Sequence, residues 1–173
     1  YEAFQVRASR YVRENPEIAA ILWIGTEGKV EWVAPHESTA TFVGDQLTGI
    51  QLTALQEALR TRRPLFSPDY PGADRRRFND LILPVQRGSS DLGAFAAMQS
   101  LEGLLRVTLP ASFTTRYNLS VVDAEDREVF SNTSVRPTDR RISGSISLDL
   151  PGNRLGLNIV AYRGGGAWLP FVP

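Results

Sequence analysis

Ile21-Leu-Trp-Ile-Gly-Thr-Glu-Gly-Lys-Val-Glu-Trp-Val-Ala-Pro35 contains, in order, an apolar strand, a short acidic turn and an alternating strand, and that order decides the fold class. With the residues just before it, Ile18–Ile24 is continuously apolar. At that length it is strand-sized, well short of the roughly 20 residues that cross a bilayer as a helix. Thr26-Glu27-Gly28 supplies turn chemistry, and Val30 and Trp32 then alternate with Lys29 and Glu31. Period-two alternation marks a strand with one face buried, whereas an unbroken apolar run marks a strand covered on both. The stretch therefore predicts a β-hairpin with a buried first strand.

Working outward, Phe4, Ala8, Tyr11 and Val12 lie on one face of a helical cylinder and Arg7, Arg10 and Arg13 elsewhere around it, which predicts a leading amphipathic helix ending near Asn15-Pro16. On the other side, Thr48 and Gln51 have the T-x-x-Q spacing of a capping box, with Leu47 and Leu52 placed as a hydrophobic staple. Leu52, Leu55 and Leu59 continue as one stripe, so a second helix is expected over residues 49–62, closed by Pro64. Residues 67–74 read as a polar loop. Strands are expected at 80–85 and 92–98, joined by Arg87-Gly-Ser-Ser-Asp91, and Leu101, Leu104, Leu105 and Leu109 form a short helical stripe stopped by Pro110. The remainder reads as β: 117–123, 128–131, 142–150 and 155–162, the last two joined by Pro151-Gly-Asn153. A faint echo links residues 22–32 with 121–130, each an apolar strand, an acidic turn and a second strand.

The fold class expected is α+β: an antiparallel sheet with flanking helices and a long N-terminal helix over residues 1–109, then a smaller β-rich portion over 110–173, one reading of which is a reduced copy of the first. Nineteen basic residues balance nineteen acidic ones, which removes the electrostatic footprint of a nucleic-acid binder. No cysteine is present, so disulfides and thiolate metal sites are excluded. The chain begins inside an amphipathic pattern without an initiator Met or signal peptide and stops at Trp168-Leu-Pro-Phe-Val-Pro173, which leads us to expect a soluble piece of something longer, with membrane segments on either side.

The hairpin at 21–35, the strand Leu81-Ile-Leu-Pro-Val85 and the segment Leu92-Gly-Ala-Phe-Ala-Ala-Met-Gln-Ser-Leu101 resemble the extracytoplasmic PAS-like sensor domains, of PDC, Cache or CHASE type, found in bacterial histidine kinases, diguanylate cyclases and chemoreceptors. The resemblance covers roughly residues 1–109 and rests on a pattern without an invariant motif. The Asp typical of the position before the turn is found in the second hairpin, as Asp123; the first has Gly25-Thr26. The resemblance implies a PAS-like fold, a small-molecule ligand, a homodimer formed through the N-terminal helix, flanking transmembrane segments in the parent protein and a periplasmic location. The rival reading is a structural or protein-interaction module with no small-molecule ligand.

Catalytic chemistry finds little support. His36 is the only histidine and no G-x-S-x-G elbow is present, so a Ser-His-Asp arrangement has one candidate base and no nucleophile turn. We expect no enzyme activity in this domain, no catalytic residue, no metal and no cofactor. The expected ligand contacts are Trp32, His36, Tyr70, Arg77, Asp80 and Phe95. Core is the plainer account of both tryptophans, although Trp32 could face a ligand while Trp23 packs into the core or under the entry helix; Tyr70 lies in the loop where PAS-like sensors place a lid. One of Arg75, Arg76 and Arg77 could clamp a carboxylate or phosphate bidentately, although a solvated basic face is the plainer account of that cluster. Binding is expected between the sheet of the first half and the segment 36–77.

Overall fold

The computed structural model describes residues 2–35, 42–72, 76–112, 117–123, 125, 127–132 and 141–162. His36 and Arg75 lie outside them. The leading helix α1 is Glu2–Glu14, followed by the hairpin β1 (Ile18–Ile24) and β2 (Val30–Ala34). Helix α2 spans Gly49–Thr61, and two short strands follow, β3 (Leu65–Phe66) just before the segment that reads in sequence as loop and β4 (Tyr70–Pro71) within it. A long hairpin of β5 (Arg77–Arg87) and β6 (Ser90–Ser100) leads into α3 (Leu101–Thr108). Strands β7 (Tyr117–Val122), β8 (Glu128–Asn132), β9 (Arg141–Leu150) and β10 (Asn153–Tyr162) complete the described chain.

All strand pairings are antiparallel, and the strands form two sheets. The first has the order β2-β1-β6-β5-β3, with β4 also on β5; the second has the order β8-β7-β10-β9. In both, two hairpins are joined by pairing the first strand of one with the last strand of the other. The echo between residues 22–32 and 121–130 therefore falls on equivalent strands, while the second sheet lacks a described helix between its hairpins.

Strand parity divides the first sheet into two faces. Ala20, Leu22 and Ile24 of β1, Val30 and Val33 of β2, Ile82 of β5 and Ala94 and Ala96 of β6 pack against Ala54, Leu55 and Ala58 of α2. On the opposite face Trp32 and Ala34 pack with Ala8 of α1, flanked by Ile21 and Trp23. The small side chains at 94 and 96 let the helix approach the sheet closely, as volume at a close-packed interface demands. A separate core beneath the second sheet joins Leu101 of α3 to Val121, Leu155 and Leu157.

The helix ends show where local signals were overruled. Helix α2 closes as expected, with Arg62 in the left-handed region (φ 57°) just before Arg63-Pro64. At its start, Leu47 and Leu52 do enter the same core cluster. However, Thr48 is extended and its side chain makes no capping bond. Gln51, the other half of the expected capping box, points its amide at Asp80 instead. A capping-box glutamine would turn its oxygen to the N-cap N–H, but here its nitrogen donates to Asp80, and leaving a buried carboxylate unbonded is more costly than leaving one exposed helix N–H to water.

Candidate functional site

Between the α2 face of the first sheet and residues 42–51, 70–72 and 76 lies a cavity of about 620 Å³, open on one side. That volume is in the range of small-molecule sites. Its apolar walls come from Leu22, Ile24, Val30, Ala96 and Met98, on the α2 face of β1, β2 and β6; a bulge opposite Trp23 and Ile24 puts Val30 on this face although Trp32 is on the other. Its polar groups are Asp80, Tyr70 and Gln51, with Arg76, Asp45 and Gln46 also on the lining.

Asp80 is the chemical centre of this cavity. It is 4% exposed, because β5 lies between β6 and β3 and both neighbours hydrogen-bond to it. The Tyr70 hydroxyl donates to Asp80 Oδ1 at 2.7 Å and Gln51 Nε2 donates to Oδ2 at 3.0 Å. Among the described residues these bonded partners are both neutral. Burial pushes the Asp80 carboxyl above its ordinary value, opposed by the bonds from Gln51 and Tyr70. Burial, and then the charge of Asp80, push the Tyr70 hydroxyl up as well, so Tyr70 stays protonated and acts as a donor.

The main chain at Asp80 is held from outside the cavity. Asp80 N–H donates to Ser67 Oγ, and Ser67 N–H donates to the Asp80 carbonyl, each at 2.9 Å. Ser67 is completely buried. These two bonds extend the β3–β5 ladder, whose registered pairs are Leu65 with Ile82 and Phe66 with Leu81.

The structure brings together two of the residues expected at a ligand site, Tyr70 and Asp80. Trp32 and Phe95 are elsewhere. Trp23 pairs directly with Trp32 across the hairpin and with Phe95 on its other side, so the three share the α1 face, away from the cavity. Trp23 and Phe95 pack there at a tilt, with ring centroids 4.9 Å apart. The split expected between the two tryptophans cannot occur in this register, because directly opposed residues point the same way.

Arg77 is also outside the cavity, and parity again explains it: Phe78 and Asp80 face the cavity, so Arg77 faces away. Its guanidinium pairs with the buried carboxylate of Asp69. It lines a second cleft, of about 560 Å³, together with Asp123, Arg127 and Asn153 from the second sheet. Arg76 is the arginine of this cluster that lines the cavity, next to Phe78, over whose ring its guanidinium sits at 5.6 Å. His36 is outside the described residues. Sequence reasoning missed Gln51 and Ser67; the first looked like a cap and the second like loop.

Among the described residues, no helix is long and apolar enough to cross a membrane, and no three His, Cys, Asp or Glu side chains group as a metal site.

No protein-family model and no curated protein sequence matches the chain. Several solved structures are similar to it. An extracellular ligand binding receptor from Desulfohalobium retbaense superposes with a TM-score of 0.69 at 14% identity, over 91% of this chain and 32% of that one. The ligand-binding domain of the Pseudomonas aeruginosa amino acid chemoreceptor PctC, in complex with GABA, gives 0.58 at 15% identity, over 92% and 81%. A domain of a sensory box/GGDEF family protein from Vibrio parahaemolyticus gives 0.67 at 10% identity, over 93% and 78%. The chain thus spans about a third of the first of these proteins. Identities this low establish fold, and the fold is that of PAS-like extracellular sensor and ligand-binding domains.

Proposed function

We propose that this chain is the extracytoplasmic sensing domain of a membrane receptor, of histidine kinase or diguanylate cyclase type, and that its cavity binds a small molecule bearing an ammonium group. One observation carries the ligand class: a buried carboxylate, Asp80, is held by two neutral donors at the floor of an open cavity. Among the described residues Asp80 has only neutral hydrogen-bond partners; a buried charge so placed is unfavourable, and an ammonium group supplies both the counter-charge and donors for the carboxylate's remaining lone pairs. Arg76 on the same lining suits a ligand with an anionic group at its other end. That two of the similar structures hold GABA and L-Arg is in keeping with this chemistry.

In this reading residues 1–109 form the sensor core and 110–173 a second, β-rich unit. The domain has no catalytic role of its own. Two copies associate through α1, whose Val6 and Tyr11 side chains are exposed, and transmembrane segments flank the domain in its parent. Ligand affinity that differs between two arrangements of the domain shifts their populations and moves α1 against its partner.

The test is a thermal-shift panel of GABA, L-arginine, L-glutamine and other amino acids, with succinate as an ammonium-free control. A ligand at about 100 times its Kd stabilises by about 2.7 kcal/mol, or roughly 5–10 °C for a chain of this size. We expect at least one ammonium compound to shift Tm and Asp80→Asn to weaken it about 100-fold or more, the scale of losing a charge-assisted bond. Absence of any shift across the panel, or equal binding by the Asp80→Asn protein, overturns the reading.

A further inference from the structure

Ser67 stands between the cavity and the second sheet. Its N–H and Oγ grip the main chain of Asp80 on one side. On the other, its carbonyl accepts from Asn153 Nδ2 at 2.9 Å, while the neighbouring Phe66 N–H donates to the Pro151 carbonyl at 2.7 Å. Pro151 and Asn153 belong to the β9–β10 turn, so three hydrogen bonds run from a cavity residue through a completely buried serine into the other sheet, and a fourth ties its neighbour Phe66 to the same turn.

The turn is fitted to this contact. Gly152 has φ +81°, and a Cβ there would lie 3.0 Å from the Phe66 carbonyl oxygen and 3.2 Å from Leu65 Cβ. A side chain at 152 would thus be strained by the backbone and would push the turn off β3.

A second, independent observation is Asn79, next to Asp80 on β5. It is completely buried, and among the described residues neither its Nδ2 nor its Oδ1 has a partner. A buried amide with neither bond made carries a penalty that a modest shift of its strand could relieve. Strand β5 at 79–80 is therefore the place where an alternative arrangement gains most.

We infer that Ser67 is a coupling latch, which ties the main chain of the cavity strand at Asp80 to the β9–β10 turn so that a change on the cavity floor is passed to the second sheet through Asn153. The latch rests on the sensing reading and deepens it, since a ligand at Asp80 is what would bias it. The hydrogen bonds themselves are tested without a ligand.

Amide hydrogen exchange is measured on the whole chain, with Asp80→Asn as the perturbation of the cavity floor. Exchange is expected to change by about threefold or more at Ser67 and Phe66 and at residues 153–157 of β10, a local opening effect. In the Asn153→Asp background, which keeps the shape but removes the donor, the change at Ser67 is expected to persist and that at 154–157 to fall at least about threefold. Asn153→Ala serves as the second variant, with circular dichroism confirming that each protein is folded. A change at 154–157 that is the same size without the Asn153 donor overturns the inference. So does an Asp80→Asn protein whose effect stops at Ser67, or never reaches it. Failure of every panel compound to bind would instead overturn the ligand reading and leave the exchange result to judge the latch on its own.

Discussion

A carboxylate buried among neutral donors, as Asp80 is, destabilises the empty protein and offers the liganded one its counter-charge. The sign of its pH effect follows from the direction of its shift. Burial raises the Asp80 carboxyl above its ordinary 3.8, so the folded chain holds this proton at pH values where the unfolded chain has lost it. The stability this contributes is fully present below the unfolded value and is lost as pH rises through the folded one. An asparagine side chain cannot ionise, and because both amides can flip, the introduced amide can accept from Tyr70 through its oxygen while its nitrogen donates to the Gln51 side-chain oxygen. Asp80→Asn is therefore expected to stabilise the empty chain by about 0.5–2 kcal/mol near neutral pH, or roughly 1–8 °C in Tm. That gain should shrink steadily as the pH is lowered from neutral toward the ordinary carboxyl range, because the folded wild-type group takes up its proton before the unfolded one does. Calorimetry of both proteins across that range checks it, and a gain independent of pH would mean that Asp80 does not titrate as its burial requires.

Two helix starts, each preceded by a hydroxyl residue, differ in what they use. Ser100 caps α3, its Oγ accepting from Gly103 N–H at 3.2 Å, whereas Thr48 at the start of α2 makes no such bond. Ser100→Ala is expected to cost about 1 kcal/mol, and Thr48→Ala to stay within about 0.5 kcal/mol, in urea unfolding. Equal costs at the two sites would show that Thr48 caps in solution. The same contrast explains what was legible. The hairpins could be read because alternation and turn residues are local, and Ile18–Ile24 and β10 lie within two residues of where that pattern puts them. Strands β3 and β4 could not: each is two residues long, β4 contains Pro71, and both exist only because β5 offers them an edge. Tyr70 and Asp80, singled out by type and position, both line the cavity. Gln51 was hidden by a plausible local role, and Trp32, Arg77 and Phe95 were misplaced because a residue's face depends on register across strands. One neighbour's pairing, Trp23 with Trp32, reverses the assignment.

Over the whole molecule, charged groups of both signs line two concavities, with Asp80 and Arg76 in one and the Arg77–Asp69 pair in the other. Arg77 is the residue that separates a ligand-clamp account of the basic cluster from an architectural one. Its Nε donates to Asp69 Oδ2 at 2.9 Å, and it faces the second sheet across the cleft. Asp69 is nearly as buried as Asp80, so removing its partner leaves an unpaired charge in the segment that also carries Ser67 and Tyr70. Breaking a fully buried pair costs several kcal/mol, but the Arg77 side chain is 30% exposed and water can replace part of that interaction. Arg77→Ala is therefore expected to destabilise the chain by about 1–3 kcal/mol, lowering Tm by roughly 2–12 °C. The affinity of the cavity for a panel compound should meanwhile stay within about threefold, since the Arg77–Asp69 pair lies on the opposite side of β5. Arg77→Lys should recover part of the stability, because an ammonium restores the charge without the guanidinium fork. Thermal melts and isothermal titration of the two variants separate the accounts: a fall in affinity of about tenfold or more with Tm unchanged would return Arg77 to the ligand site and require β5 to be rotated from the register in which Asp80 faces the cavity.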